Sequence, residues 1–518
     1  MTDHTCASRR LRAVEYPIET DVIDDFTAAT DEGPDRTAIV HNGKAVTYRE
    51  FEQHVTEIAS ACRLPRVAGA DRIAALVSHT PSAAATLLGV LSAGLTYCPI
   101  DGALPAERVR SMMSALRVDR VYSALQSDTV MLGVRVEEFH AVDPARPTLS
   151  QVRRSPDDAA YVLCTSGSTG TPKPVVVSRR ALGVTVRALR TLFELTPQDR
   201  VLQFASLGWD TCLEEILPTL TAGAALVFDD RVHCGSFPMF LRAVAEQAIS
   251  VIDLPTAFWH ELVRFLDEEN EVLPACIRLV VIGGEMVDPT RLRQWTQLGM
   301  EHVRLLNTYG CTETTLITHA VQLRGAGTEI GVGASADAPI GIALPHVVDH
   351  ITDDGELLIS GPGVASGYLG MPEQSASAFT VADHGCGPMR WFHTGDVVVR
   401  NDHGLLHARG RADEQLKVLG VRVHPAEVEA HLHSHPSVAA SVVVGERTSA
   451  GKRLAAYVVA RQPVTAKELK NYLGGRLPGQ FVPSRITFVT ALAHTQSGKV
   501  DRAATRRAVT DISEGANQ

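Results

Sequence analysis

YVLCTSGSTGTPKP, residues 161–174, decides how the rest of the chain is read. The apolar run Tyr161, Val162 and Leu163 has the composition of a strand, and it empties into small and hydroxyl residues over 165–171. Small residues let successive backbone N–H groups turn toward one point, and the hydroxyls add donors. Pro172 closes the loop and Lys173 adds a positive charge. That combination is a phosphate cradle. It is not the G-x-x-x-x-G-K-S/T loop, because no Gly-Lys-Ser/Thr follows the glycines. A flexible Ser/Gly linker has similar composition. A linker has no reason to carry an apolar strand directly before it and Pro-Lys directly after.

Outward from this loop, strand and helix patterns alternate. Residues 1 to about 35 are polar and are expected to form a loose N-terminal arm. The apolar stretches 38–40 and 44–46 flank His41-Asn42-Gly43, a hairpin signal. Thr47 reads as an N-cap, with Glu50 completing a capping box for a helix through Ala61. RIAALVS at 72–78 is a buried strand, and 82–93 is an apolar helix stopped by Gly94. A helix is expected over 181–195. VIDLPT at 251–256 is a strand with an acid in its apolar middle, and IRLVVIGGE at 277–285 is a strand running into a Gly-Gly turn. Such alternation predicts an α/β fold: a large N-terminal domain of mixed, mostly parallel sheets with covering helices, over 36–412. A smaller α+β domain follows over 413–518, with helices at 425–434 and 466–473 and strands at 438–444 and 454–460.

Composition bounds the function. At 518 residues the chain can hold two or more domains with sizeable cores. Hydrophobic content of 45% with 21% charged residues is ordinary for a soluble globular protein. The formal charge of −10 argues against a nucleic-acid or anionic-membrane partner. No run approaches the ~18 apolar residues of a membrane span. The N-terminus shows no apolar signal segment, so a cytoplasmic location is expected. Nine cysteines, none in a CxxC pair, read as reduced thiols. His431, His433 and His435 read as an exposed helix face rather than a metal site.

TSGSTGTPK, residues 165–173, resembles the signature loop of the adenylate-forming superfamily: acyl-CoA synthetases, luciferases and the adenylation domains of nonribosomal peptide synthetases. The resemblance implies that Thr165, Ser166, Gly167, Ser168, Thr169, Gly170 and Lys173 hold the phosphates of ATP. It continues in order along residues 35–505. AGLTYCPID at 93–101, with Pro105 and Arg108 beyond, is similar to an early core motif and is read as packing. VRLLNTYGCTETT at 303–315 is similar to the family's Asn-x-Tyr-Gly-Pro-Thr-Glu stretch, with Cys311 where proline is usual. That match implies nucleotide contacts from Asn307 and Thr308, adenine stacking on Tyr309, a phosphate bond from Thr312 and Mg²⁺ on Glu313. A hard oxygen ligand suits that cation. GELLISGPGVASGY at 355–368 carries Ser366 where arginine is usual. FHTGD at 392–396 implies that Asp396 takes both ribose hydroxyls, a bidentate task for a carboxylate. In GRADEQLKVLGVRVHPAEVE, 410–429, Arg411 is implied to reach the ribose, and Asp413 sits at the family's hinge. Ala408 stands where an aromatic is frequent. LPGQFVP at 477–483 and SGKVDR at 497–502 resemble the last two motifs. Lys499 is then the mobile lysine bridging the substrate carboxylate and the α-phosphate, and Lys499, Glu313 and Thr165 form the implied catalytic set. The small domain is expected to rotate about the hinge between the two half-reactions, bringing in the segment around Gly420.

RVLQFASLGWDTCLEE, 200–215, carries Trp209-Asp210 where the family has Phe-Asp, and in amino-acid-activating members that aspartate binds the substrate's amino group. Carrying the pocket positions across gives Asp210, Thr211, Glu214, Asp253, Val281, Gly283, Thr308, Leu316, Ile317 and Lys499. Glu214 lies four residues after Asp210, on the same helix face. Carboxylates at Glu214 and Asp253 are costly in a closed pocket unless a cation pairs with them. A second ammonium on the substrate is the simplest partner, and Gly283 leaves room for a long side chain. The expected substrate is a diamino acid; the pocket looks similar to those assigned to lysine and especially β-lysine. Sixteen residues follow Arg502, against the roughly 80 of a carrier domain. The expectation is a stand-alone adenylation enzyme of peptide natural-product biosynthesis. It would use ATP and Mg²⁺ and serve the phosphopantetheine thiol of a separate carrier protein, with an MbtH-like helper possible in this family. Two alternatives stay open: an amide ligase passing the acyl group to a free amine, and an acyl- or aryl-CoA synthetase, which Asp210 disfavours.

Overall fold

The computed structural model describes residues 21–63, 71–123, 136–139, 152, 154–166, 172–328, 337–412, 415–418, 421–448, 451–493, 502 and 504–507. Two large sheets carry the N-terminal part. In the nine-stranded sheet, six adjacent strands run parallel: Arg304–Gly310, Leu279–Gly283, Val251–Pro255, Arg200–Leu202, Ala225–Phe228 and Thr37–His41. Antiparallel strands close both sides, Lys44–Thr47 at one and Ile317–Arg324 followed by Ile342–Ala343 at the other. The seven-stranded sheet has a parallel run of Ala159–Thr165, Thr96–Asp101, Arg72–Val77, Val121–Ser123 and Val136–Glu138. Lys173–Ser178 and Gly367–Tyr368 add to its edge in antiparallel sense.

Apolar strands of this kind are buried on both faces, so helices must cover them. Helix Arg179–Leu192 lies on the seven-stranded sheet and packs on helix Thr211–Thr221, which lies on the nine-stranded one. One core joins both sheets through these helices and includes Ile39, Val201, Ile73, Leu163, Leu182 and Leu217. A third, antiparallel sheet contains Glu356–Ser360, Pro388–Arg400 and Leu406–Arg411. The small C-terminal part has its own core, built from Val423, Val428, Val443, Leu454, Leu469 and Phe481.

Local signals hold where they are short in range. Asn42 and Gly43 turn the 37–47 hairpin with φ of 48° and 81°, the left-handed pair such a tight turn needs. The Thr47–Glu50 capping box is present, opening helix Tyr48–Cys62. The expected loose arm is corrected in its second half. Helix Val22–Glu32 forms there, capped by a box between Asp21 and Asp24, and buries Val22, Ile23 and Phe26. Its few apolar residues fall on one face, against helix Thr211–Thr221, which a count of polar residues conceals. Cys62, Cys98, Cys164, Cys212 and Cys311 are buried free thiols. Cys386, expected to be reduced, is disulfide-bonded instead. No described helix is long and apolar enough to cross a membrane.

Candidate active site

The C-terminal ends of the central strands open into a cavity of about 640 Å³, the size of a small-molecule site. Its wall includes Thr165, Asp210, Thr211, Glu214, Asp253, Gly283, Thr308, Thr312, Leu316 and Ile317. Nearly every residue expected to read the amino acid therefore faces one space. Val281 is the exception. It pairs with Asp253 across neighbouring parallel strands and is fully buried in the core, outside the cavity wall. Lys499, Gly167, Ser168, Thr169, Gly170 and the hinge position Asp413 lie outside the described residues.

Helix Thr211–Thr221 carries the acidic wall. Asp210 occupies its N-cap without a side-chain capping bond. The Asp210 carboxyl bonds Thr312 instead, and burial raises its pKa. Glu215, given no role by the sequence, fixes this helix to the strand before it. Its carboxyl accepts from the N–H groups of Phe204 and Ala205, at 3.0 Å each, and from the Gln203 amide at 2.9 Å. Glu214, one residue earlier, therefore faces the cavity.

Glu214 and Asp253 are 7% and 8% exposed. Asp253 Oδ2 has no hydrogen-bond partner. Among the described residues, no lysine or arginine forms an ion pair with either group. Burial raises the Asp253 pKa to about 7. Burial, then Asp253, Asp210 and Glu215, raise that of Glu214 well above the carboxylate range. Both shifts mark carboxyl groups whose charged form is disfavoured by burial and by each other.

Two glycines set the opposite wall. A Cβ at Gly310 would lie 1.9 Å from the Leu316 carbonyl oxygen, so the backbone can close there only over glycine. The turn after Glu313 is tight, and Thr315 and Leu316 sit at φ of 57° and 68°, an uncommon conformation for bulky residues. This turn aims Leu316 and Ile317 at the cavity. A Cβ at Gly283 would meet Thr308 Oγ1 at 2.6 Å. That glycine therefore serves strand packing as well as space.

The expected nucleotide residues form a linked group beside the cavity. Tyr309 Oη donates to Asp396 Oδ2 at 2.6 Å, and Arg411 Nη1 donates to Asp396 Oδ1 at 2.7 Å. Asn307 Nδ2 donates to the Pro339 carbonyl at 2.7 Å, leaving its buried Oδ1 unpartnered. Thr165 Oγ1 donates to the Lys173 carbonyl at 3.3 Å, and Ser166 Oγ is buried without a partner. The Lys173 ammonium lies 5.7 Å from the Tyr368 ring centre.

Glu313 is 4% exposed. It accepts from Tyr368 Oη at 3.1 Å and from Arg422 Nη1 at 2.8 Å. Its donor chemistry fits magnesium, which takes one or two carboxylates and completes its shell with phosphate oxygens and water. Arg422 occupies Oε2 in this arrangement, so a metal there requires Arg422 to withdraw.

Arg422 and Lys417 are residues that the sequence reading missed. They pair directly across the hairpin formed by Leu416–Val418 and Val421–Val423. Both line the cavity, and the Lys417 ammonium lies 5.4 Å from the Tyr309 ring centre. Burial lowers the Lys417 pKa, with Asp396 opposing. Burial also works against the Arg422 charge, but Glu313 and its neighbours outweigh it. Like charges opposed across strands repel, so the pair signals an anion between them and the large domain. That spacing was visible in LKVLGVRV.

Comparisons with known proteins place the chain in a family. The family described as AMP-binding enzyme matches residues 26–369, and the AMP-binding enzyme C-terminal domain matches 427–499. Isonitrile lipopeptide synthase of Streptomyces coeruleorubidus is 38% identical over 483 residues, 92% of this chain and 32% of that protein. The chain thus spans about a third of that relative, and only 20% of the dimodular nonribosomal peptide synthase of Bacillus subtilis, to which it is 29% identical over 91% of its own length. Syringomycin synthase SyrB1 of Pseudomonas syringae pv. syringae is 31% identical, over 90% of this chain and 78% of that protein. Among solved structures, the fused adenylation–PCP di-domain NpsA-ThdA from Klebsiella oxytoca superposes with a TM-score of 0.80 at 22% identity, covering 96% of this chain and 97% of that one. The amide bond synthetase McbA from Marinactinospora thermotolerans also gives 0.80, at 24% identity, covering 94% and 99%. These two likenesses concern the fold.

Proposed function

The chain belongs to the AMP-binding enzyme family as an adenylate-forming ligase of the nonribosomal-peptide-synthetase adenylation type, and from that premise we propose that it activates a basic diamino acid, lysine or β-lysine. The observation that carries the substrate is the acidic end of the cavity: two buried carboxylates, Glu214 and Asp253, with an unpartnered oxygen on the second. Buried charge without a partner is costly, and a distal ammonium supplies the missing partner. Asp210 takes the reacting end's amine, and Thr308, Leu316 and Ile317 line the stem.

In the first half-reaction the substrate carboxylate oxygen attacks the α-phosphorus of ATP. The bond to the β-phosphate bridge breaks, and pyrophosphate leaves. Lys173 and the 165–170 loop hold phosphates, Asn307, Thr308 and Tyr309 the base, Thr312 a phosphate, and Asp396 with Arg411 the ribose. Lys499 bridges carboxylate and α-phosphate. Glu313 would hold a magnesium ion once Arg422 withdraws, and that ion would supply charge neutralisation at the phosphates. The contribution of these groups is positioning and electrostatic stabilisation. In the second half, an acceptor thiol on a carrier protein attacks the acyl carbon. The acyl–oxygen bond breaks, AMP leaves, and the thiol proton passes to solvent. Arg422 and Lys417 face the nucleotide group in the present arrangement and suit this step, while Asp413 serves as the hinge between a core of 36–412 and the small domain.

The test is amino-acid-dependent exchange of pyrophosphate into ATP across lysine, β-lysine, ornithine, 2,4-diaminobutyrate, neutral amino acids and a fatty acid. Exchange confined to diamino acids is expected. Equal exchange with neutral or fatty acids would overturn the assignment.

A further inference from the structure

Arg108 belongs to the early motif that the sequence reading assigned to packing, yet its partners lie in the other domain. The side chain is 6% exposed and forms an ion pair with Glu427, itself fully buried, 319 residues later. Its guanidinium also lies 5.7 Å from the ring centre of Phe481, in the small-domain core. Beside it, Glu107 pairs with Arg476 at 3.4 Å, so the two contacts cross with opposite polarity. The pair also sits near Cys164, whose thiol responds to both charges, one residue before Thr165.

The two segments that Arg108 grips are those that complete the cavity. Glu427 follows five residues after Arg422, and Phe481 directly follows Gln480. Val421, Arg422 and Gln480 are all cavity-wall residues. On the far side, Trp209, next to Asp210, packs against the small-domain core. One buried guanidinium therefore ties together both small-domain segments that reach the site. A desolvated ion pair is poor as a source of stability but strict about geometry, because either charge alone is heavily penalised.

We infer that Arg108 is a positioning residue: through Glu427 and Phe481 it seats the small domain so that Arg422, Lys417 and Gln480 face the bound adenylate during acyl transfer. The inference rests on reading the cavity as an adenylate site. It requires nothing of Arg108 in the first half-reaction.

The test uses the full chain carrying Arg108→Met with Glu427→Gln, which removes both charges together and avoids stranding one. A second, milder variant exchanges the exposed pair, Glu107→Arg with Arg476→Glu. Hydrogen–deuterium exchange of the ligand-free proteins is read at 421–423 and 479–481, with Val251–Pro255 as the internal control. In the Arg108 variant the first two segments are expected to exchange about tenfold faster, as a local opening, with the control strand unchanged. Pyrophosphate exchange with lysine stays within about threefold of wild type, while AMP release with lysine as substrate and pantetheine as acceptor falls about tenfold. The charge-exchanged pair retains wild-type behaviour. Unchanged exchange at 421–423 and 479–481, or equal loss of both activities, would overturn the inference. Failure of the underlying reading looks different: wild type then shows no diamino-acid-dependent pyrophosphate exchange, while the hairpin still loosens in the variant.

Discussion

Asp253→Asn should make the ligand-free protein more stable at alkaline pH, although it removes a group from the binding site. The Asp253 carboxyl is buried, has an unpartnered oxygen, and lies near Glu214 and Glu215. Its pKa rises from 3.8 to about 7 on folding. That span is roughly 3 pH units, and at 1.36 kcal/mol each the ionised form costs about 4 kcal/mol. The sign follows from proton binding. Below about pH 4 both folded and unfolded chains hold the proton, and the penalty is absent. Between about pH 4 and 7 only the folded chain keeps it, so stability falls as pH rises; above 7 the full penalty applies. An amide carries no charge, but its own buried polar atoms cost about 1–3 kcal/mol. The net gain at pH 8 is therefore about 1–3 kcal/mol, a melting shift of about 1–3 °C for a chain of this size, and it reverses by pH 4, where only the amide's cost remains. Saturating lysine should reverse the order, because only wild type offers the distal ammonium a carboxylate. The assay is thermal unfolding of both proteins across pH 4–9, with and without lysine. A variant no more stable than wild type at pH 8 without ligand, and equally stabilised by lysine, would refute the reasoning.

Other outcomes follow from the same geometry. Lys499→Ala should reduce adenylate formation at least a hundredfold while sparing ATP binding by calorimetry, if its proposed role lies in the reacting state. Glu214→Gln should lower the preference for lysine over norleucine by about tenfold in kcat/KM, read by pyrophosphate exchange. Asp396→Ala removes the acceptor of Tyr309 and Arg411; KM for ATP should rise about tenfold or more, with a lower melting temperature. Gly310→Ala forces a Cβ to 1.9 Å from the Leu316 carbonyl, and a loss of about 2–4 kcal/mol in unfolding free energy is expected.

Most of the parallel framework was legible because it is written in local patterns. The strand at 159–165, the capping box at Thr47 and the hairpin at Asn42-Gly43 each depend on a few neighbouring residues. The cavity was legible because Asp210, Glu214, Asp253, Gly283, Thr308, Leu316 and Ile317 sit at strand ends or the adjoining helix, where the fold brings them together. Val281 was misplaced because an in-register position on the next strand shares the face of Asp253 without reaching the wall. Helix Val22–Glu32 was hidden by its acidic composition, although a single apolar face is enough to bury it. Contacts between Arg108 and Glu427, and between Arg422 and Glu313, were illegible for a different reason. Each joins residues more than a hundred positions apart, and each exists only when the small domain is seated, which no local periodicity encodes.

The most direct test of the central claim compares lysine with norleucine, its analogue lacking the side-chain amine, in pyrophosphate exchange with the wild-type protein. A buried carboxyl pair that requires a cation predicts a kcat/KM for lysine at least a hundredfold above that for norleucine, since the analogue offers neither group the ammonium it is built to bind. Comparable values for the two would contradict it, because Glu214 and Asp253 would then not read a second ammonium.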